Sequence, residues 1–321
     1  MIVTVTANPS LDRTLELSGP LQRGEVQRAV SVRAEPGGKG VNVSRAVARA
    51  GTATRAILPA DAGDPLLTAL DEVGLDYLAI PVGGEVRSNV TVAEADGTTT
   101  KINAPGQVVG PVTAQALANA ILDHAAGASW LALCGSLPPG LPDDWYRTLI
   151  DGLSAQGCRV AVDTSGAPLE AVVHGHVDLL KPNDEELAEV TGADAAQLSR
   201  AIAARDYAPV VDAAQVLIDR TGAAVLATLG AAGALLITAN GSWHATPPPI
   251  VPRSTVGAGD SSLAGYLIAE TRGLDERDRL RTAVAYGSAA TALAGTQPPA
   301  PDGLDLDSVV LTDLAGAAPV S

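Results

Sequence analysis

Ser129-Trp130-Leu131-Ala132-Leu133-Cys134 is an almost unbroken apolar run that stops at Gly135. It is too short for a typical globular helix and is bounded by a turn residue, so it reads as a strand covered on both faces. Three further runs of this kind follow at 159–163, 177–181 and 224–229. Amphipathic stretches at 113–125, 143–155, 183–190 and 209–219 lie around and between them. Alternation of buried strands with helices predicts an α/β fold: a doubly wound, mostly parallel sheet with helices on both faces. Segments 233–238 and 242–245 flank Asn240-Gly241 and predict a closing hairpin, with helices at about 258–271 and 276–294 after it.

The first third has a different rhythm. Segments 1–7, 39–50, 55–59, 64–73 and 77–80 continue the strand–helix series. Segments 14–17, 28–34, 88–95 and 98–103 instead alternate with period two, and Asp96-Gly97 is a hairpin turn signal. Strands inserted in this way predict a small second sheet, formed from about 12–35 and 86–105, standing as a lid over a cleft. The whole of 1–321 is thus expected to be one α/β unit carrying a β lid.

Composition excludes several classes. A net charge of −15 argues against nucleic acid or an anionic membrane as partner, although a local cationic cluster would still serve a small anion. No apolar run is long enough for a membrane helix, and the N-terminus reads as a strand and not as a signal peptide. Cys134 and Cys158 read as small core residues in a reducing compartment, which makes cytoplasm the default. Basic residues comprise 18 Arg and only three Lys; Lys39, Lys101 and Lys181 all fall within two residues of Gly, Asn or Pro in loop-like segments. An ammonium is a compact point charge, unlike a guanidinium, so these positions draw the eye.

The strongest chemical motif is Gly257-Ala258-Gly259-Asp260-Ser261-Ser262. Two glycines at a helix start let amide groups converge on an anion. A dinucleotide fingerprint would need glycine at 262, where Ser stands, and would set Asp260 against a pyrophosphate. Phosphoryl transfer suits the motif better: the amides stabilise the moving group while Asp260 accepts a hydroxyl proton. Taken alone, the pattern also reads as an Asp helix cap.

Pro36-Gly37-Gly38-Lys39-Gly40-Val41-Asn42-Val43 lacks the spacing of a Walker A loop. Its glycines permit close backbone approach, with Lys39 and Asn42 as polar contacts; a plain helix-initiating turn is the alternative. Asp12, in Asn8-Pro9-Ser10-Leu11-Asp12, follows the first strand, where open α/β sheets bind ligands, and is a candidate for sugar hydroxyls. In Lys181-Pro182-Asn183-Asp184-Glu185-Glu186, Asn183 and Glu186 share one face of a helical turn. That pair suits Mg²⁺ held through water, or a capping box, or both. Weaker signals are the turn at Gly135-Ser136, the glycine turn Thr228 to Gly233 including Gly230, and Arg87, Asn89, Lys101 and Asn103 on the proposed lid strands. The four histidines show no metal-ligand pattern; His174 and His176 read as a surface loop.

Taken in order, these segments resemble the PfkB-type carbohydrate kinases of the ribokinase family over essentially the whole chain. Five motifs carry the likeness: 8–12, 37–45, 135–140, 181–186 and 254–262. Within the family the chain is most similar to the 1-phosphofructokinases, through Gly37-Gly38-Lys39-Gly40, Arg23-Gly24-Glu25-Val26, and the paired segments Arg87 to Val90 and Lys101 to Gly106. Tagatose-6-phosphate kinases and the minor 6-phosphofructokinase are close relatives. The resemblance implies ATP and Mg²⁺ as cofactors and a phosphorylated ketohexose, D-fructose 1-phosphate above all, as acceptor. It implies Asp260 as base with amides of Gly257, Ala258 and Gly259. Lys39, Arg87 and Lys101 would hold the substrate phosphate, and Asp12, Gly38, Asn42, Asn89 and Ser136 the sugar. Lys181, Asn183, Thr228, Gly230, Gly233 and Ser288 would line the nucleotide site, with Asn183 and Glu186 serving the metal. A homodimer through the lid is a further implication. A catalytically silent sugar-phosphate-binding protein is the alternative of another class, against which the intact Gly-Ala-Gly-Asp speaks. The chain departs from the family pattern at 194–212, which is longer than usual, and at Ala7, where leucine is common.

Overall fold

A computed structural model of the chain describes residues 1–153, 157–293 and 295–314. The strands are β1 (Ile2–Thr6), β2 (Ser10–Glu16), β3 (Ser31–Gly37), β4 (Thr54–Pro59), β5 (Tyr77–Ile80), β6 (Arg87–Ala93), β7 (Thr99–Ile102), β8 (Trp130–Cys134), β9 (Arg159–Asp163), β10 (Leu179–Leu180), β11 (Ala224–Thr228), β12 (Ala234–Thr238), β13 (Gly241–Thr246) and β14 (Val310–Leu314). The α-helices are α1 (Lys39–Arg49), α2 (Pro65–Glu72), α3 (Pro111–Ala125), α4 (Trp145–Leu153), α5 (Gly166–Val172), α6 (Asp184–Thr191), α7 (Ala195–Ala203), α8 (Ala208–Thr221), α9 (Ala258–Thr271) and α10 (Glu276–Thr291).

Ten strands form one sheet in the order β14-β13-β12-β11-β10-β9-β8-β1-β4-β5. Pairing is parallel from β11 through β5 and antiparallel at β11–β12, β12–β13 and β13–β14. Strand alternation divides the core between the two faces. Val3, Val5, Leu131 and Leu133 face one layer with Leu117, Tyr146, Leu149 and Leu217 of α3, α4 and α8. Ile2, Trp130, Ala132 and Cys134 face the other with Val43, Val47, Leu263 and Tyr286 of α1, α9 and α10. The two-layer covering explains why these strands read as continuous apolar runs. The second sheet has the order β3-β2-β6-β7, with β2–β3 and β6–β7 antiparallel and β2–β6 parallel.

The expected α/β architecture and inserted sheet are therefore both present. The lid strands run Ser10–Gly37 and Arg87–Ile102, slightly outside and inside the expected bounds. The run 177–181 contributes only Leu179–Leu180 to the sheet. Residues 154 and 155 of the expected helix 143–155, and residue 294 of the helix 276–294, lie outside the described residues. Three elements had no forecast. Helix α5 has only seven residues; α7 is capped by Asp194, whose carboxylate accepts from the amides of Ala196 and Gln197; β14 is a mostly exposed edge strand. Helix α7 lies within the segment 194–212.

The chain runs from β1 outwards to β4 and β5 and then from β8 in the other direction, so the sheet changes direction between β1 and β8. Thr6, Cys134 and Asp163 are register neighbours at the carboxyl ends of β1, β8 and β9, beside that switch point. Ligands in open α/β sheets bind there.

Candidate active site

Helix α9 begins at Ala258 because Gly257 adopts φ 77°, a left-handed conformation that costs glycine nothing. The amides of the first turn have no intrahelical acceptors and point out of the helix end. Asp260 occupies that turn and is buried, yet its side chain caps nothing. Its Oδ2 instead accepts from Nδ2 of Asn42 at 2.8 Å, across from the first turn of α1, so the helix-cap alternative fails. Burial, reinforced by the nearby charge of Asp163, raises the Asp260 carboxyl to about 6, against the pull of the Asn42 hydrogen bond and of Lys39 and Lys181.

Asp163 is the member of the candidate site that the sequence did not reveal. Its side chain is fully buried at the end of β9, where Oδ1 meets Nζ of Lys39 at 2.7 Å and Oδ2 meets Nζ of Lys181 at 3.0 Å. Burial pushes its carboxyl up, but Lys181 and Lys39 together hold it below the usual range. Lys39 is correspondingly raised, chiefly by Asp163. Its partners lie far away in sequence, and Asp163-Thr164-Ser165-Gly166 looks like an ordinary strand-ending turn. The usable signal was a carboxylate at a parallel strand end in a chain with only three lysines, two of them in turn-like segments. The ammonium of Lys181 also sits against the Gly257–Asp260 turn: a Cβ on Gly259 would stand 3.3 Å from its Nζ. Lys39, Asn42, Asp163, Lys181, Gly259 and Asp260 thus form one cluster.

A second group lies at the lid root. Oδ1 of Asp12 accepts from Oγ of Ser10 at 2.7 Å and from Nδ2 of Asn89 at 3.0 Å, with Asp12 and Asn89 paired between β2 and β6. The Asp12 carboxylate packs where a side chain at Gly37 would go, which explains that glycine. A Cβ on Gly38, at φ 104°, would fall 2.5 Å from Cγ2 of Thr6, and Gly38 starts α1 without a side-chain cap. Asn8 donates to Oγ of Ser136 at 3.3 Å and to the Pro105 carbonyl at 3.1 Å. Arg87 donates to the carbonyls of Asn8, Pro9 and Ala104 at 2.9, 3.3 and 2.9 Å, so its guanidinium clamps the main chain below the lid. Lys101 is exposed on the edge strand β7, opposite Thr91, away from the Asp163 cluster's hydrogen bonds.

Asn183 and Glu186 form the full capping box: Oδ1 of Asn183 accepts from the Glu186 amide at 2.7 Å and Oε2 of Glu186 from the Asn183 amide at 2.9 Å. One Glu186 oxygen stays outside the box, and its charge is felt at Lys39. Asn183 bridges to Thr228, whose amide donates to the Pro182 carbonyl at 3.0 Å. Gly230 to Ala232 form a short 3₁₀ turn, and Gly233, at φ 96°, has no room for a Cβ against the Ala245 carbonyl. His244 supports this turn through Nε2 and the Ala232 carbonyl at 2.8 Å and stacks on Tyr207 at 4.0 Å. Ser288 is buried on α10, and its hydroxyl has no hydrogen-bond partner among the described residues. His174 and His176 are exposed, and no group of three or more His, Cys, Asp or Glu able to hold a metal occurs among the described residues.

The family model described as pfkB family carbohydrate kinase matches residues 5–303. The chain belongs to the pfkB family of carbohydrate kinases. It is 36% identical over 291 residues to 1-phosphofructokinase from Xanthomonas campestris pv. campestris, covering 88% of each chain. It is 33% identical to ATP-dependent 6-phosphofructokinase isozyme 2 from Escherichia coli K12, covering 92% of this chain and 94% of that one. The crystal structure of phosphofructokinase-2 from Escherichia coli in complex with substrates and products superposes with a TM-score of 0.86 at 32% identity, covering 94% of this chain and 96% of that one.

Proposed function

We propose that the chain is an ATP-dependent sugar-phosphate kinase that converts D-fructose 1-phosphate and ATP into fructose 1,6-bisphosphate and ADP. The observation that carries this reading is Asp260: a buried carboxylate raised to about 6, held by Asn42 in the first turn of α9 beside two ammonium groups. A base with that affinity is ionised at neutral pH yet takes a hydroxyl proton better than an ordinary carboxylate. The sugar 6-oxygen bonds to the γ-phosphorus, the bond from that phosphorus to the β–γ bridging oxygen breaks, and the hydroxyl proton passes to Asp260. Amides of Gly257, Ala258, Gly259 and Asp260 receive the charge of the moving group, with Lys181 against Gly259 as counter-ion. On this reading Lys39, Arg87 and Lys101 are the cations that would hold the phosphate already on the sugar. Asp12, Gly38, Asn42, Asn89 and Ser136 orient the sugar. Thr228, Gly230, Gly233, Asn183 and the buried hydroxyl of Ser288 serve the nucleotide. Asp163 sets the spacing of the two ammonium groups.

The donor set fits Mg²⁺ carried in on nucleotide phosphates. Glu186 keeps one carboxylate oxygen outside its capping box, and Mg²⁺ characteristically takes one or two carboxylates, waters and substrate phosphates. Bound there with Asn183, the ion supplies charge neutralisation for the phosphates.

Lys39 favours a phosphosugar over a bare sugar. The similarity to the Escherichia coli 6-phosphofructokinase keeps fructose 6-phosphate as the second reading, with tagatose 6-phosphate beside it. The exposed Val26, Val30, Val32 and Ile102 on the small sheet and its connecting loop support a homodimer through the lid, which light scattering measures. The free thiols of Cys134 and Cys158 suit the cytoplasm. ADP release with each of fructose 1-phosphate, fructose 6-phosphate, tagatose 6-phosphate and fructose tests the assignment. Fructose 1-phosphate is expected to give the highest kcat/KM. Preference for bare fructose contradicts the phosphosugar reading, and no release with any acceptor contradicts the kinase.

A further inference from the structure

Arg45 has a placement that the reaction as described does not use. It lies one helical turn beyond Asn42 on α1, so both project from the same side of the helix. Its guanidinium is buried, a costly position unless its donors are satisfied. Burial lowers its proton affinity, while Glu35 and Asp12 raise it. Nη1 donates at 3.2 Å to the Pro36 carbonyl and at 3.2 Å to both the carbonyl and the hydroxyl of Thr296; Nη2 lies 3.6 Å from Oε1 of Glu35. Glu35 and Pro36 form the root of lid strand β3, where Glu35 pairs with Asp12. Thr296 follows α10, and its Cα lies 3.8 Å from where a Cβ on Gly257 would stand, so its loop sits on the anion-binding turn. The Glu35 carboxylate touches the same loop, since a Cβ on Gly295 would fall 2.5 Å from its Oε2.

We infer that Arg45 is a positioning residue that ties the lid root at Glu35–Pro36 to the Thr296 loop seated on Gly257, and so couples binding on the sugar side to binding on the nucleotide side. This rests on the kinase reading. Two groups of contacts on one buried cation mean that a shift of the lid root relative to α1 must break one set or carry the other with it. A hydrophobic replacement leaves the carbonyls of Pro36 and Thr296 to find other donors and removes the tie.

The test uses the full chain with Mg²⁺ and measures the Kd of fructose 1-phosphate by calorimetry, alone and with a saturating non-hydrolysable ATP analogue. The ratio of the two constants reports the coupling. Wild type is expected to bind the sugar phosphate about fivefold or more tightly with the analogue present. Arg45→Met is expected to bring the ratio close to one, and Arg45→Lys and Thr296→Val to lower it partway, with analogue affinity alone changed by less than about threefold. A general loss of structure would instead weaken both ligands and leave no selective change in the ratio. If Arg45→Met does not fold, Arg45→Lys and Thr296→Val decide the matter. A wild-type ratio of one, or an unchanged ratio in folded variants of an active enzyme, overturns the coupling role alone. A wild type that neither binds fructose 1-phosphate nor releases ADP overturns the kinase reading with it.

Discussion

Asn42 and Asp260 join the first turns of α1 and α9 through one 2.8 Å hydrogen bond, Nδ2 to Oδ2. The helix that begins at the glycine pair of the lid root is thereby fixed to the helix that begins at the anion turn. The bond stabilises the ionised carboxylate and opposes the burial that raises it.

The pH profile follows from that balance. As general base Asp260 must be ionised, so kcat is expected to fall as pH drops through about 6. Asn42→Ala removes a hydrogen bond to the charged form and shifts the acid limb to higher pH. Asp163→Asn removes a neighbouring negative charge and shifts it to lower pH. Opposite displacements in kcat–pH profiles are the expected result; shifts of the same sign would show that another group titrates.

The same carboxylate costs stability. Its folded pKa lies above its unfolded value of 3.8, so the native state binds more protons between the two and stability declines as pH rises from about 4 to about 6. At neutral pH, Asp260→Asn is therefore expected to stabilise the fold by roughly 1–3 kcal/mol while abolishing most turnover. Urea unfolding at pH 5 and pH 7.5 measures this, and the gain should be larger at the higher pH.

Asp163 compensates two ammonium groups, one of them on the buried Lys181. Asp163→Leu is expected to cost on the order of 3–5 kcal/mol, the usual penalty for leaving buried charge without its partner. Lys39→Ala should instead leave the Asp163–Lys181 pair in place and raise KM for fructose 1-phosphate far more than for fructose. Thermal melts and paired KM measurements distinguish the two.

Arg87→Ala is expected to damage folding as well as substrate binding. Its guanidinium serves the carbonyls of Asn8, Pro9 and Ala104, and losing donors to partly buried acceptors costs about 1–3 kcal/mol. A lowered Tm together with a raised KM is the predicted pair; an unchanged Tm would remove the clamping role.

How much of this was legible in the sequence depended on range. The parallel sheet was readable because both faces of β8, β9 and β11 are covered, which writes the strands as apolar runs. Gly257 and Asp260 were readable because loop and base are contiguous. Asp163 was not, because its meaning lies in Lys39 and Lys181, brought to it only by the parallel register of β9 and β10 and by the docking of α1. Arg87 was read for its charge, whereas its fixed contacts are main-chain carbonyls that no composition displays. Strand β14 escaped because an exposed edge strand lacks the alternation that marks a half-buried one.

If Asp260 takes the hydroxyl proton during phosphoryl transfer to a sugar phosphate, removing its charge must slow the chemical step. Steady-state ADP release with fructose 1-phosphate, compared between wild type and folded Asp260→Asn, tests it most directly. A kcat lower by about 10²–10⁴ in the variant, with KM for the sugar phosphate little changed, is the expected result. Near-normal turnover in Asp260→Asn would contradict it.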